Sequence, residues 1–248
     1  MRFDRKQSGP NEIYDENGDP HDHYRSVLEE IQDMGPDEWD RRTDAAHERL
    51  LEEQRGFGIT DSDKTHPIDY LPRVSPASYG EELERGTAQR MRAINEFLRR
   101  LEAGKEEVVP KEVIASSTLY NPDLPTRFGE VPARQAGFDV VALEDNDGWG
   151  YVFIEDNIKM PIGLVPMSRM RARTAEVLPD SYSSLGVRPL NGVLERLGDV
   201  LRAASPDTDA TLAILTDGPS DQYYLDHNIL AEETGAVLAE RHELEMED

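Results

Sequence analysis

The stretch DVVALEDNDGWGYVFIEDNIKMPIG, residues 139–163, decides how this chain is read. Two apolar runs, Asp139 to Leu143 and Gly150 to Ile154, flank Asp145-Asn146-Asp147-Gly148, whose Asx and Gly residues favour a tight reversal. The pattern predicts a β-hairpin. With the turn centred on Asp147, Asp139 lies across the ladder from Glu155, and Asn157 projects on the same face as Glu155 because side chains alternate along a strand. Three oxygen ligands then gather at the open end of one hairpin. Like charges placed opposite each other are destabilising, and a cation between Asp139 and Glu155 removes that conflict. Two carboxylates with an amide oxygen suit Mg²⁺ (or Mn²⁺), which keeps few protein ligands and completes its shell with water and phosphate oxygens.

A plainer reading stands beside this one. In a chain with 51 acidic residues, two acids fall opposite each other by chance, and a one-residue slip puts Asp139 and Glu155 on opposite faces. A calcium loop over Glu144-Asp145-Asn146-Asp147-Gly148 fits poorly. With Gly148 at its sixth position an EF-hand loop needs an acid at its first, where Leu143 stands, and it needs flanking helices.

Glu155-Asp156-Asn157, followed by Lys159, Pro161 and Gly163, resembles the Glu-x-Asn magnesium motif of ATP-grasp ligases. More closely it resembles the Glu-Asp-Asn-x-Arg-x-Pro-Ser-Gly segment of the circularly permuted type 2 ATP-grasp proteins, relatives of glutathionylspermidine synthase. Other blocks of that family find counterparts in the family's order. Tyr14-Asp15-Glu16 with His23-Tyr24-Arg25 comes first, then Arg85-Gly86, Gln89-Arg90 and Ala93-Ile94-Asn95-Glu96-Phe97-Leu98. Val187-Arg188-Pro189 and Leu215-Thr216-Asp217-Gly218-Pro219 with Asp226-His227 and Leu230-Ala231 follow the hairpin.

The resemblance implies ATP-dependent ligation of a carboxylate to an amine through an acyl phosphate. It makes Asp139, Glu155 and Asn157 metal ligands, Lys159 and Gly163 phosphate contacts, and Lys159 and Arg90 members of the catalytic set. Two departures bear on competence. Lys159 stands where the family usually has arginine and cannot form its bidentate fork, and Ile162 stands where a serine is common. In the family the strands and lysines that hold adenine and triphosphate follow the βαβ segment, and this chain stops at Asp248 inside it. It therefore looks like the leading half of such a protein: a split gene, a truncated form or a degenerate copy. Whether it is an enzyme by itself stays open. The alternative is a non-catalytic scaffold or partner subunit that keeps the fold without turnover. A complementing polypeptide, or self-association through the carboxyl-terminal segment, is the expected partner beside ATP and a carboxylate/amine pair.

Composition narrows the rest. The 248 residues carry a formal net charge of -24, which repels phosphate backbones and anionic lipid and so argues against nucleic acid and membrane surfaces as partners. No apolar run approaches the about 20 residues that span a bilayer, and the start lacks the apolar core of a signal peptide. With no cysteine there is no disulfide framework, thiol nucleophile or zinc-thiolate site, which fits a cytoplasmic protein. The acids are dispersed, lysine is scarce beside arginine, and 37% of residues are hydrophobic, enough for a core. Such a pattern resembles salt-in halophilic proteins; an ordinary acidic protein is the alternative.

The expected fold is α+β: a helical amino-terminal region (1–117), a magnesium-binding hairpin of an ATP-grasp fold with its helices (118–205), and the start of a βαβ, pre-ATP-grasp-like segment (206–248). Asp19-Pro20 opens a helix that stops at Gly35-Pro36, and a second runs from Asp37 to Gln54. A loop over residues 56–74 leads to the longest helix, from Ser75-Pro76 to about Ala103. Its stripe of Leu83, Met91, Ile94, Phe97, Leu98 and Leu101 reads as core. Its Arg85, Arg90 and Arg92 read either as surface ion pairs or, through the family block, as anion contacts. A short helix from Pro110 to Ser116 precedes an irregular connection over 118–136. Beyond the hairpin, Ser168 caps a helix bearing Arg169, Arg171 and Arg173, and Ser181 to Pro189 connects to a helix from Asn191 to Ala204. Strand (Ala210 to Leu215), helix (Asp221 to Thr234) and strand (from Ala236) follow. Their loop, Thr216-Asp217-Gly218-Pro219, sits at the strand's carboxyl end, where α/β sheets bind ligands, but it has neither a dinucleotide fingerprint nor a Walker lysine and reads as a turn. His21 and His23 read as a solvated helix start, since residues two apart do not share a helix face.

Overall fold

The computed structural model describes residues 11–56, 68–118, 120, 131–145, 148–159, 161–207 and 209–245. In chain order the elements are α1 (Asp22–Gly56), α2 (Ala77–Glu102), α3 (Lys111–Ser116), β1 (Gly137–Asp145), β2 (Gly148–Asn157), α4 (Leu164–Val177), α5 (Pro179–Ser184), α6 (Val193–Arg202), β3 (Ala213–Thr216), α7 (Tyr224–Thr234) and β4 (Val237–Glu240). The fold is α+β, with two small sheets among the described residues. Most of the loop expected over 56–74 and of the connection expected over 118–136, including Pro122 and Pro125, lies outside the described residues, as do Asn146 and Asp147 at the hairpin tip. The described residues fall into two compact units, one from Met1–Pro76 with Ile162–Asp248 and one from Ala77–Pro161.

In the first unit α1 is two helices joined at Gly35, whose φ of 70° and ψ of 175° belong to a region open essentially to glycine. Pro36 follows with its fixed φ and restarts the helix, so the break falls where Gly35-Pro36 predicts it. The start differs from expectation. Tyr14 and Pro20 bridge a turn in which Asp15 Oδ1 accepts the Asn17 and Asp19 amides, both at 2.9 Å, and α1 begins only at Asp22.

Val27, Ile31 and Ala46 of α1 bury against Tyr70, Val177 and Leu178, with Met34 and Trp39 packed alongside. Polar contacts close the same seam. Glu30 accepts the amides of Asp180 (3.3 Å) and Ser181 (2.7 Å), Ser181 Oγ donates to the Ser26 carbonyl at 3.0 Å, and Arg42 donates to the Val177 carbonyl at 3.0 Å. Backbone groups left free where α4 ends and α5 begins thus find partners on α1. A second core joins α4, α6 and α7 through Val165, Leu194 and Ile229. Helix α4 begins at Leu164, with Gly163 before it, rather than near Ser168, whose hydroxyl donates to the Val165 carbonyl (2.7 Å) within the helix. Serine is as suited to that internal bond as to a cap, which is why its position misled.

Strands β3 and β4 pair in parallel, Ala213 beside Val237 through Thr216 beside Glu240, with α7 connecting them. Leu215 (59%) and Val237 (53%) are exposed on a sheet type normally covered on both faces.

The second unit is a helix laid on a two-stranded sheet. Tyr79, Gly86 and Arg90 of α2 meet the hairpin, and no residue of α2, the expected core stripe included, is fully buried. One helix on one hairpin has too little volume to enclose either surface. Glu106 stabilises the turn into α3 by accepting the Val108 and Val109 amides at 2.7 and 2.9 Å, and these bonds hold its carboxyl below the usual range.

Candidate metal and phosphate site on the hairpin

The register of the hairpin changes along its length. From Asp145 beside Gly148 to Val140 beside Phe153 the pairing is that of a two-residue connection. Continued unbroken, it would set Asp139 against Ile154 and leave Glu155 on the other face. A β-bulge between Asp139/Val140 and their partners inserts Ile154 as the extra residue, after which Asp139 pairs with Glu155, Phe138 with Asp156 and Gly137 with Asn157. The juxtaposition expected from the sequence is present, but it comes from the bulge and not from a turn centred on Asp147.

The bulge separates two faces. Tyr151 and Phe153 face α2. Tyr79 meets Tyr151 edge-on at 6.0 Å between centroids, Phe138 meets Phe153 edge-on at 5.8 Å, and Arg90 lies over the Phe153 ring at 5.3 Å. A Cβ on Gly86 would stand 3.0 Å from the Phe153 ring, so the helix approaches this closely only because residue 86 has no side chain. Arg90 forms an ion pair with Asp156, which raises the guanidinium's pKa. The outer face carries Asp139, Val141, Leu143, Val152, Ile154 and Glu155, all exposed, with Asn157 half-buried.

Neither Asp139 nor Glu155 has an ion-pair partner among the described residues. Two carboxylates paired on an exposed face with a neighbouring amide form an oxygen donor set that fits a hard divalent cation. Among the described residues, the hairpin included, no group of three or more His, Cys, Asp or Glu side chains is placed to hold a metal ion, so the donor set here is two carboxylates and one amide. Lys159 is exposed and makes no ion pair among them either. Gly163, at φ 112° before the first turn of α4, has no neighbour within 4 Å of a built Cβ, and Ile162 is exposed.

The three arginines of α4 are engaged. Arg169 pairs with Glu53 (3.0 Å), Arg173 with Glu176 (2.9 Å), and Arg171 donates to the Arg188 carbonyl. Arg85 and Arg92 are exposed, whereas Arg90 is half-buried within the apolar stripe of α2. From the sequence all three read as surface ion pairs or anion contacts, and only the family resemblance set Arg90 apart, in the catalytic set. The separating signal is spacing, because Arg90 lies four residues from both Gly86 and Ile94 on the sheet-facing side.

Two other constellations hold histidine. His21 and His23 stack with centroids 5.5 Å apart, closer than residues two apart on a helix allow, because His21 precedes the helix; burial, then His21, lowers the His23 pKa. At the carboxyl end of β3, His227 Nδ1 lies 3.1 Å from Thr216 Oγ1 and 3.7 Å from Asp221 Oδ2. Both contacts fall on one nitrogen, so they do not form a relay in which the two ring nitrogens serve different partners. Among the described residues no helix is long and apolar enough to cross a membrane.

The family model "Circularly permuted ATP-grasp type 2" matches residues 72–248. A Frankia alni protein named "Putative glutamate--cysteine ligase 2-3" is 31% identical over 97% of this chain and 29% of its own length. An uncharacterised protein of Mycobacterium leprae is 26% identical, covering 94% of the chain and 42% of itself, and one of Synechocystis is 24% identical, covering 96% and 52%. The chain thus spans between 29% and 52% of the length of these relatives. With a family match over most of its residues, including the hairpin and the β3–α7–β4 segment, the chain belongs to the circularly permuted ATP-grasp type 2 family.

Proposed function

We propose that these residues supply the metal- and phosphate-facing hairpin of an ATP-dependent carboxylate–amine ligase. The observation that carries the reading is the pairing of Asp139 with Glu155 on an exposed face where neither has a cationic partner among the described residues. Bound there by Asp139, Glu155 and Asn157, Mg²⁺ would neutralise charge on ATP phosphate oxygens. Lys159 serves as a point-charge phosphate contact, and Gly163 leaves the backbone at the start of α4 open to close approach. The Frankia name belongs to a whole protein of which this chain matches 29%, so the acid and the amine are not taken from it.

The open β3–β4 pair supports a second element of the proposal. Its exposed Leu215 and Val237, and edges that no further strand covers among the described residues, suit a further strand layer from a complementing polypeptide or a second copy, and turnover belongs to that assembly. Ile162, and Lys159 in place of arginine, favour the rival reading of a scaffold that keeps the fold without turnover.

Manganese titration calorimetry on wild type, D139N and E155Q tests the site. Each substitution is expected to weaken Mn²⁺ binding without lowering the thermal midpoint, because it also ends a carboxylate repulsion. Equal affinity in all three overturns the metal reading. An ATPase assay with and without a co-expressed downstream fragment tests the rest: turnover is expected only with the fragment, and indifference to it favours the scaffold.

A further inference from the structure

We infer that Arg90 is a positioning residue, which holds Glu155 and Asn157 toward Asp139 by clamping the intervening Asp156 from the opposite side of the strand. The inference rests on the metal reading above and departs from the family-based expectation that Arg90 contacts an anion directly.

Asp156 is the residue between the two β2 donors. Successive side chains on a strand point to opposite faces, so Asp156 points to α2 when Glu155 and Asn157 point outward. This is the end of the hairpin away from the turn. It lies beyond the bulge, at the open end, with only the pairs Asp139–Glu155, Phe138–Asp156 and Gly137–Asn157 left in the ladder. A bulge increases local twist and leaves the extra residue unpaired, so something must fix which way the strand leaves it.

Arg90 meets that need from one helix position. Its guanidinium pairs with Asp156 and lies over Phe153, which stand on the two sides of the bulged pair Ile154 and Glu155. Phe153 is itself held by Phe138 edge-on and by the close approach of Gly86. The cation therefore joins the regular part of β2 to the part beyond the bulge. With its charge directed at Asp156 from the α2 side, Arg90 leaves the repulsion between Asp139 and Glu155 on the outer face unrelieved. Partners that orient metal ligands without touching the metal typically change affinity about 10–100-fold when lost.

The test uses the full chain and Mn²⁺ alone, without nucleotide, in titration calorimetry and in the electron paramagnetic resonance signal of free Mn²⁺. R90Q and D156N are each expected to weaken binding about tenfold, and R90Q/D156N by no more than either alone, because both break one clamp. R90K should recover part of the affinity. R99Q, which breaks the Arg99–Glu96 surface pair on the same helix, should bind as wild type. Thermal midpoints measured alongside separate a lost fold from a lost orientation: R90Q that remains folded yet binds weakly supports the inference. Wild-type affinity in folded R90Q, or additive losses in the double variant, overturns it while leaving the metal reading intact. A wild type that takes up no Mn²⁺ overturns both.

Discussion

Asn95 and Ala133 bind each other as neighbouring strands would: the Asn95 side-chain oxygen accepts the Ala133 amide at 2.8 Å, and its nitrogen donates to the Ala133 carbonyl at 3.0 Å. The same nitrogen donates to the Met91 carbonyl at 3.0 Å, which anchors the amide to its own helix. One α2 side chain thereby fixes the segment entering β1. Asn95→Ala should cost about 1–3 kcal/mol, since two backbone groups beside a buried alanine lose their partner. Asn95→Asp keeps the acceptor but loses the donor, and should destabilise as well. Hydrogen exchange at residues 131–136, compared with that of α1, reads the effect; unchanged exchange would show the bond to be incidental.

Gly86 and Gly80 lie on the same helix and should respond oppositely to alanine. At Gly80 a Cβ meets nothing within 4 Å, so Gly80→Ala should stabilise by about 0.5–1 kcal/mol through helix propensity. At Gly86 the new Cβ stands 3.0 Å from a ring already bounded by Phe138 and Arg90. Overpacking of about 1–3 kcal/mol outweighs the propensity gain there. Urea midpoints of the two variants decide it, and a stabilised Gly86→Ala would mean that Phe153 moves freely.

Acid should remove one local contribution over a defined range. Hydrogen bonds from Arg41, then Arg42, hold Glu38 down to about 2, below its ordinary 4.5. A depressed carboxylate stabilises the fold above its unfolded pKa and loses that contribution as pH falls through the folded one. Wild type should therefore exceed Glu38→Gln in thermal midpoint above about pH 5, with the gap closing between pH 4.5 and 2. A constant gap across that range would assign the effect to packing.

A net charge of -24 should make stability strongly dependent on salt. If the dispersed acids are an adaptation to molar cations, the thermal midpoint climbs steeply as KCl rises from dilute to molar, because screening relieves self-repulsion. A flat or falling midpoint in KCl would leave an ordinary acidic protein.

The sequence made the hairpin, the α1 break and the β3–α7–β4 order legible because each is written in local residue types: alternation, Gly-Pro, and apolar runs of strand length. The pairing of Asp139 with Glu155 was legible only through two errors that cancel, a turn placed too late and a bulge not foreseen. Nothing local marks Ile154 as the extra residue, since its place depends on which residues face α2. Arg90 was ambiguous for the same reason. Its charge argues for solvent while its spacing argues for the sheet, and only the presence of Asp156 on the facing strand resolves the two. The start of α4 at Leu164 was missed because no side-chain cap marks it.

Gly35 illustrates a separate kind of mutational intolerance. Its site is empty, with no atom within 4 Å of a built Cβ, yet its backbone angles exclude any residue that has one. In a saturation library, substitutions there should score almost alike from alanine to tryptophan, because the penalty arises at the first carbon and volume adds nothing to it. Gly86 should instead show a graded profile that worsens with bulk, since Phe153 stands in the way. The two glycines would look equally invariant in an alignment, and only the shape of the fitness profile would tell a constraint on chain direction from a constraint on space.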